Sequence, residues 1–127
     1  MRGEVSAEDF LLLILSPVGK RALEAYGSVL SVDGSGGTTI YKHMQMVVFI
    51  VSHYGRSTVA AVAYVLSERE EVYATLFGLL KMLAPEWHLR AVQSDLAQAA
   101  FNAATALQER NGLWGAPADG SNTIRWF

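Results

Sequence analysis

Cysteine is absent from this chain of 127 residues, which excludes disulfides, a cysteine nucleophile and any thiolate zinc site. Charge is scarce as well: 17% of the residues are Asp, Glu, Lys or Arg, and the net charge is −2. A protein that grips DNA by its phosphates usually carries a basic face, whereas here the ten basic residues are spread thinly. Long apolar runs are missing too. FLLLIL, MVVFIV and VAAVAYVL fall well short of the roughly 18 to 20 residues needed to cross a bilayer. The opening MRGEVSAEDF has acids where a signal peptide carries its apolar stretch. The expectation is a soluble, intracellular chain with no membrane partner.

What is present is core-forming material. At 51% apolar residues the chain is no disordered segment, and its length suits a single domain over 1–127. Ser16 and Pro17 form a cap and first position for a short helix that Gly27 stops, so 1–27 reads as a helical lead-in. SVLSV then reads as a strand. Two further apolar runs, Tyr41 to Ser52 and Ser57 to Leu66, are separated by the hairpin signal HYGR. Neither run alternates cleanly, which predicts strands covered on both faces. In LSEREEVYATLFGLLKMLAP the period becomes helical, with a stripe of Val72, Leu76, Leu79, Leu80 and Leu83. Ser67 and Glu70 stand in capping-box relation, and Pro85 lies just past the end. LRAVQSD predicts a short strand, LAQAAFNAATALQER a second long helix ended by Gly112, and TIRWF the start of one more strand.

This order predicts an α/β fold: three antiparallel strands, then parallel strands added by helical crossovers. The architecture most compatible with it is ribonuclease H-like, with 28–127 as the core, broken off at the fifth strand. In that arrangement the first and fourth core strands are neighbours, and Asp33 and Asp95, each closing its strand, approach one another where ligands of open α/β sheets bind.

The stretch SVLSVDGSGGTTIYK first suggests a phosphate loop, but it has no lysine at the Walker position and leads into a strand. Asp33 is its chemical point, with glycines that turn the chain away and leave room beside the carboxylate.

Asp33-Gly34-Ser35 closing a strand, the GTT.Y continuation, STVAAVAYVLSERE after the hairpin, the helix EEVYATLFGLLK and Ser94-Asp95 before an alanine-rich helix stand in one order. Over about Leu13 to Ala103 the chain thereby resembles the Mutator-like element (MULE) transposase domain of the DDE/D transposase group. The resemblance implies Mg²⁺ or Mn²⁺ held by Asp33 and Asp95, DNA as partner, a possible homo-oligomer, no small-molecule substrate, and a nuclear place if the source is eukaryotic. Lys42 and Arg56 are candidates for touching DNA phosphates. The family has a third acid on a later helix, and neither Glu109 nor Asp119 occupies that place. The expectation is a catalytic-core fragment, ancestrally cleaving and joining DNA and inactive as it stands. Two alternatives are a domesticated, noncatalytic DNA- or protein-binding module on the same fold, and a nuclease of RNA or hybrid.

Each candidate has a plainer reading. Asp33 beside glycine suits a turn, Asp95 an N-cap, and Glu68, Glu70 and Glu71 a helix's first turn, where acids oppose its dipole. His43, His53 and His88 share no metal spacing, and the latter two read as surface residues. Tyr73 and Phe77 read as core, while Trp114 and Trp126 read as partly exposed and prone to self-association.

Overall fold

A computed structural model of the chain describes residues 11–36, 44–67, 69–93, 98–115 and 124–126. Its elements are β1 (Leu11–Leu15), α1 (Pro17–Tyr26), β2 (Val29–Gly36), β3 (Gln45–His53), β4 (Arg56–Val65), α2 (Glu70–Leu83), β5 (Ala91–Gln93), α3 (Gln98–Asn111) and β6 (Arg125–Trp126). The strands form one six-stranded sheet in the order β1-β4-β3-β2-β5-β6. The pairings from β1 to β2 are antiparallel, and those joining β5 and β6 are parallel.

The helical lead-in needs correction over Leu11–Leu15. That stretch is an edge strand, antiparallel to β4 from Leu11↔Val65 to Leu15↔Ala61. Five aliphatic residues ahead of a Ser-Pro break are too few for a stable helix, and pairing supplies their backbone partners at once. Leu11, Leu13 and Leu15 pack on the core, while Leu12 and Ile14 face outward.

Helix α1 starts as its sequence predicts. The Gly19 N–H donates to the Ser16 hydroxyl over 3.0 Å, with Pro17 in the first turn. Gly19 lies so close to β4 that a Cβ there would run into the Ala60 carbonyl oxygen. Gly27 ends the helix without entering the left-handed region, at φ −81. Its missing side chain makes room for Trp87, whose Cδ1 would lie 2.6 Å from a Cβ.

The hairpin between β3 and β4 turns on Tyr54 and Gly55, at φ 50 and 75. Two positive φ angles match the right-handed twist of the flanking strands, and glycine takes the second at no steric cost. Further along, Phe49 pairs with Ala61 and Ile50 with Val59, leaving Ala60 as the extra residue of a bulge. Both Ala60 and Ala61 are buried.

Alternation along the paired strands puts Leu30 and Val32 with Val47, Phe49, Val51 and His53, and with Val92 and Trp126, on one face. All three described helices pack there. Tyr26 of α1 stacks on His53 at 4.2 Å, Phe77 of α2 meets Phe49 edge to face at 6.0 Å, and Phe101 of α3 stacks on Trp126 at 5.1 Å. The expectation of strands covered on both faces is therefore not met by the described elements. β3 and β4 alternate between fully and partly buried residues. Their outward residues are nearly as apolar as the inward ones, which hides the alternation in the sequence.

The capping box is not formed. Helix α2 begins at Glu70 with Arg69 as N-cap and no side-chain capping bond, and the Ser67 hydroxyl instead accepts from Arg69 Nε at 3.1 Å. Glu68 lies outside the described residues. Val72, Leu76 and Leu80 of the expected stripe are buried together with Tyr73 and Phe77, whereas Leu79 is partly exposed and Leu83 half exposed. Phe77, Trp87 and Trp114 form the centre of the core, with Trp87 and Trp114 ring to ring at 5.3 Å. Trp114, expected partly exposed, is fully buried. Buried Gln108 fixes it by accepting from the Trp114 N–H at 3.1 Å and donating to the Gly115 carbonyl at 2.8 Å.

Glu24 ties α1 to the chain after α2. It accepts from the Glu86 N–H at 3.0 Å and from Lys20 Nζ at 3.0 Å. The Glu86 bond first, and then Lys20, hold its carboxyl below the usual 4.5. A depressed folded-state pKa adds stability above the unfolded value that is lost as pH falls through the folded one. Glu24→Gln is therefore expected to lower the unfolding midpoint most near neutrality, with the gap to the natural chain closing below about pH 4.5. Thermal melts of both chains from pH 3 to 7 test this, and a gap constant with pH would contradict it.

Candidate functional site

Asp33 is exposed and belongs to β2, where it pairs with Val48 of β3. It does not close the strand. Gly34 and Gly36 continue the ladder opposite Val47 and Gln45, so at least to Gly36 the glycines do not turn the chain away. Glycine weakens a strand, but the partner β3 holds it in the sheet.

What does stop near Asp33 is the neighbouring strand. β5 runs parallel to β2 with Val29 opposite Ala91, Leu30 opposite Val92 and Ser31 opposite Gln93. Asp33 lies two residues beyond the last of these pairs and, by alternation, on the same face as Ser31 and Gln93. The Ser31 hydroxyl donates to Gln93 Oε1 over 3.3 Å, which joins the two strands beside the carboxylate. A carboxylate, a hydroxyl and an amide thus share one face, with Asp33 and Gln93 exposed and Ser31 half-buried, and oxygen donors of these kinds suit hard divalent cations. Ser31 and Gln93 were missed as site neighbours. Period-two alternation was the available signal, since 31 precedes 33, and 93 precedes 95, by one strand repeat.

Asp95 and Lys42 lie outside the described residues. Arg56 is exposed and pairs with His53 at the opposite end of the hairpin. From Val48, opposite Asp33, to His53 is five residues of strand, or about 17 Å, so the structure does not bring Arg56 to the carboxylate. Among the described residues no three His, Asp or Glu side chains gather into a metal-binding group. His53, expected on the surface, is partly buried under Tyr26. His88 is exposed and bonds through Nδ1 to the Trp114 carbonyl at 3.0 Å, and His43 falls outside the described residues. Glu70 and Glu71 occupy the first turn of α2, as the dipole reading requires. They border a shallow groove of about 280 Å³ against Arg110 of α3. Glu109 is exposed near the end of α3, and Asp119 lies outside the described residues.

No helix of the described residues is long and apolar enough to cross a membrane. No family model, curated protein or solved structure matches this chain.

Proposed function

We propose that this chain is a ribonuclease H-like core of the Mutator-like transposase type, in which Asp33 and Asp95 hold Mg²⁺ or Mn²⁺ and receive DNA. The observation that carries this reading is the parallel ladder of β2 and β5. It sets Ser31 opposite Gln93, and in the sequence each of these residues precedes its aspartate, Asp33 or Asp95, by two positions. The strand order β4-β3-β2-β5-β6, antiparallel and then parallel, supports the same fold reading.

When bound, a pair of such ions activates an attacking water or DNA 3′-hydroxyl and steadies the leaving oxygen of an in-line displacement. The residues' own part is to present charge at a fixed place. Asp33 supplies a carboxylate on a strand held by β3, and the Ser31–Gln93 bond joins β2 to β5 two residues before it. With two acids assigned and no third, the proposed activity of the chain as given is metal and DNA binding without turnover.

The net charge of −2 makes DNA binding weak and salt-sensitive. Fluorescence anisotropy of a labelled duplex across a potassium chloride series, in Mn²⁺ and in EDTA, is the test. Binding that falls steeply between about 50 and 200 mM salt is expected, with a Mn²⁺-to-EDTA affinity ratio well above one that Asp33→Asn reduces to near one. The ratio is the readout because the substitution also removes a negative charge. Tight binding indifferent to salt, or a ratio unchanged in Asp33→Asn, would overturn the proposal.

A further inference from the structure

The three described helices leave the other face of the sheet bare. On it stand Leu12 and Ile14 of β1, Val59 and Val62 of β4, and Val48 and Ile50 of β3, as the register dictates. Leu12, Ile14 and Val59 are about half exposed, at 48%, 51% and 53%. Contiguous apolar surface on this scale marks an interaction site. We infer that the part of this face formed by β1, β4 and β3 is where a second copy of the chain packs, sheet against sheet.

Charge selects that occupant. On β1, β3 and β4 the outward residues include no Asp, Glu, Lys, Arg or His, and the first charged outward group is Asp33 on β2. In a two-fold interface the same patch meets itself, so a patch free of charge brings no like-charge repulsion to its centre. A face without Lys or Arg lacks what a phosphate backbone or an anionic lipid surface requires. At the hairpin end of this face the Ser52 and Ser57 hydroxyls bond to each other at 3.2 Å.

Size agrees. With strands ~4.8 Å apart and ~3.4 Å per residue, β1, β4 and β3 present a face of about 400 Å² in projection. Its corrugated accessible area is larger, and two such faces approach the lower bound of about 1,200 Å² for a specific interface. Two sheets packed this way sit about 10 Å apart with strands near −30°, as in a β-sandwich.

Sedimentation equilibrium from about 1 to 200 μM tests the inference. The natural chain is expected to pass from monomer to dimer within that range. Ile14→Lys and Val59→Lys should each weaken the dimer at least about tenfold, while Met82→Lys, 76% exposed on the helical side, should leave it intact. Circular dichroism melts establish that the variants fold. If the lysine variants do not, Ile14→Thr and Val59→Thr, β-branched and suited to strands, take their place. A natural chain that stays monomeric at the highest concentration overturns the inference, as does a dimer that the face variants leave unchanged. A monomer that instead co-sediments with phosphatidylcholine vesicles through Ile14 and Val59 would also overturn it, assigning the face to lipid.

Discussion

Replacing Trp87 with alanine is expected to remove about 3–5 kcal/mol of folding stability, the range for deleting a large buried aromatic side chain. Trp87 is fully buried and contacts three separate parts of the chain. Its ring lies 6.2 Å from that of Phe77 in α2 and 5.3 Å from that of Trp114 beyond α3. Its Nε1–H donates to the Gly27 carbonyl at the end of α1 over 2.7 Å. Truncation therefore opens a cavity and strands a buried carbonyl in one step. Trp87→Phe separates the two effects. It keeps a ring in the site but loses the hydrogen bond, and it should cost more than the ~1 kcal/mol of an average bond because the carbonyl remains buried. Single domains hold only about 5–15 kcal/mol in total, so Trp87→Ala should lie near the limit of folding. Urea unfolding of the natural chain and both variants measures this. A loss below about 1 kcal/mol for Trp87→Ala would show that the three-ring centre of the core is misassigned.

The second large effect comes from adding atoms. Gly19→Ala should destabilise the chain by about 1–3 kcal/mol, although alanine is the better helix former by up to about 1 kcal/mol. The new methyl group would meet the Ala60 carbonyl, which is strand backbone and cannot swing aside as a flexible side chain would. The compensating move is for α1 to lift off the sheet, exposing Ala22 and Leu23, both now buried. Gly78 is the internal control. It also lies within a helix, but a Cβ there has nothing within 4 Å, so Gly78→Ala should stabilise by about 0.5–1 kcal/mol. The same substitution thus carries opposite signs at two helical positions. If both variants were stabilised, the close approach of α1 to β4 would be wrong.

Features governed by local chemistry were legible in the sequence. Ser16 and Pro17 start a helix, Gly112 ends one at φ 55, and HYGR turns a hairpin, because caps and turns rest on a few neighbouring residues. The direction of β5 followed from the helical crossover that joins it to β4, and its place beside β2 from the strand arrangement expected for this order of elements. Features set by distant partners were not legible. Five consecutive aliphatic residues before Ser16 show no period that marks them as a strand, and what makes them one is β4, distant in sequence. DGSGG has the composition of a turn, yet Val47 and Gln45 across the ladder keep Gly34 and Gly36 extended. Trp114 stands in a glycine-flanked loop, and its burial depends on Gln108, a polar residue that no periodicity assigns to a core. In the candidate site, the strand that carries Asp33 was legible from SVLSV, although Asp33 does not close it. The Ser31–Gln93 contact was not, because it requires the exact register of two strands 62 residues apart.

The central proposal is that Asp33, which lies on β2 two residues past its last pair with β5, holds a divalent metal together with Asp95. Its most direct measurement is a Mn²⁺ titration followed through amide NMR, comparing the natural chain with an Asp33→Asn, Asp95→Asn double variant. The account predicts that substoichiometric Mn²⁺ broadens the amides of Gly34 and Gln93 before all others, and that the double variant loses this selectivity. Broadening spread over the surface acids, or selective broadening that survives in the double variant, would contradict it.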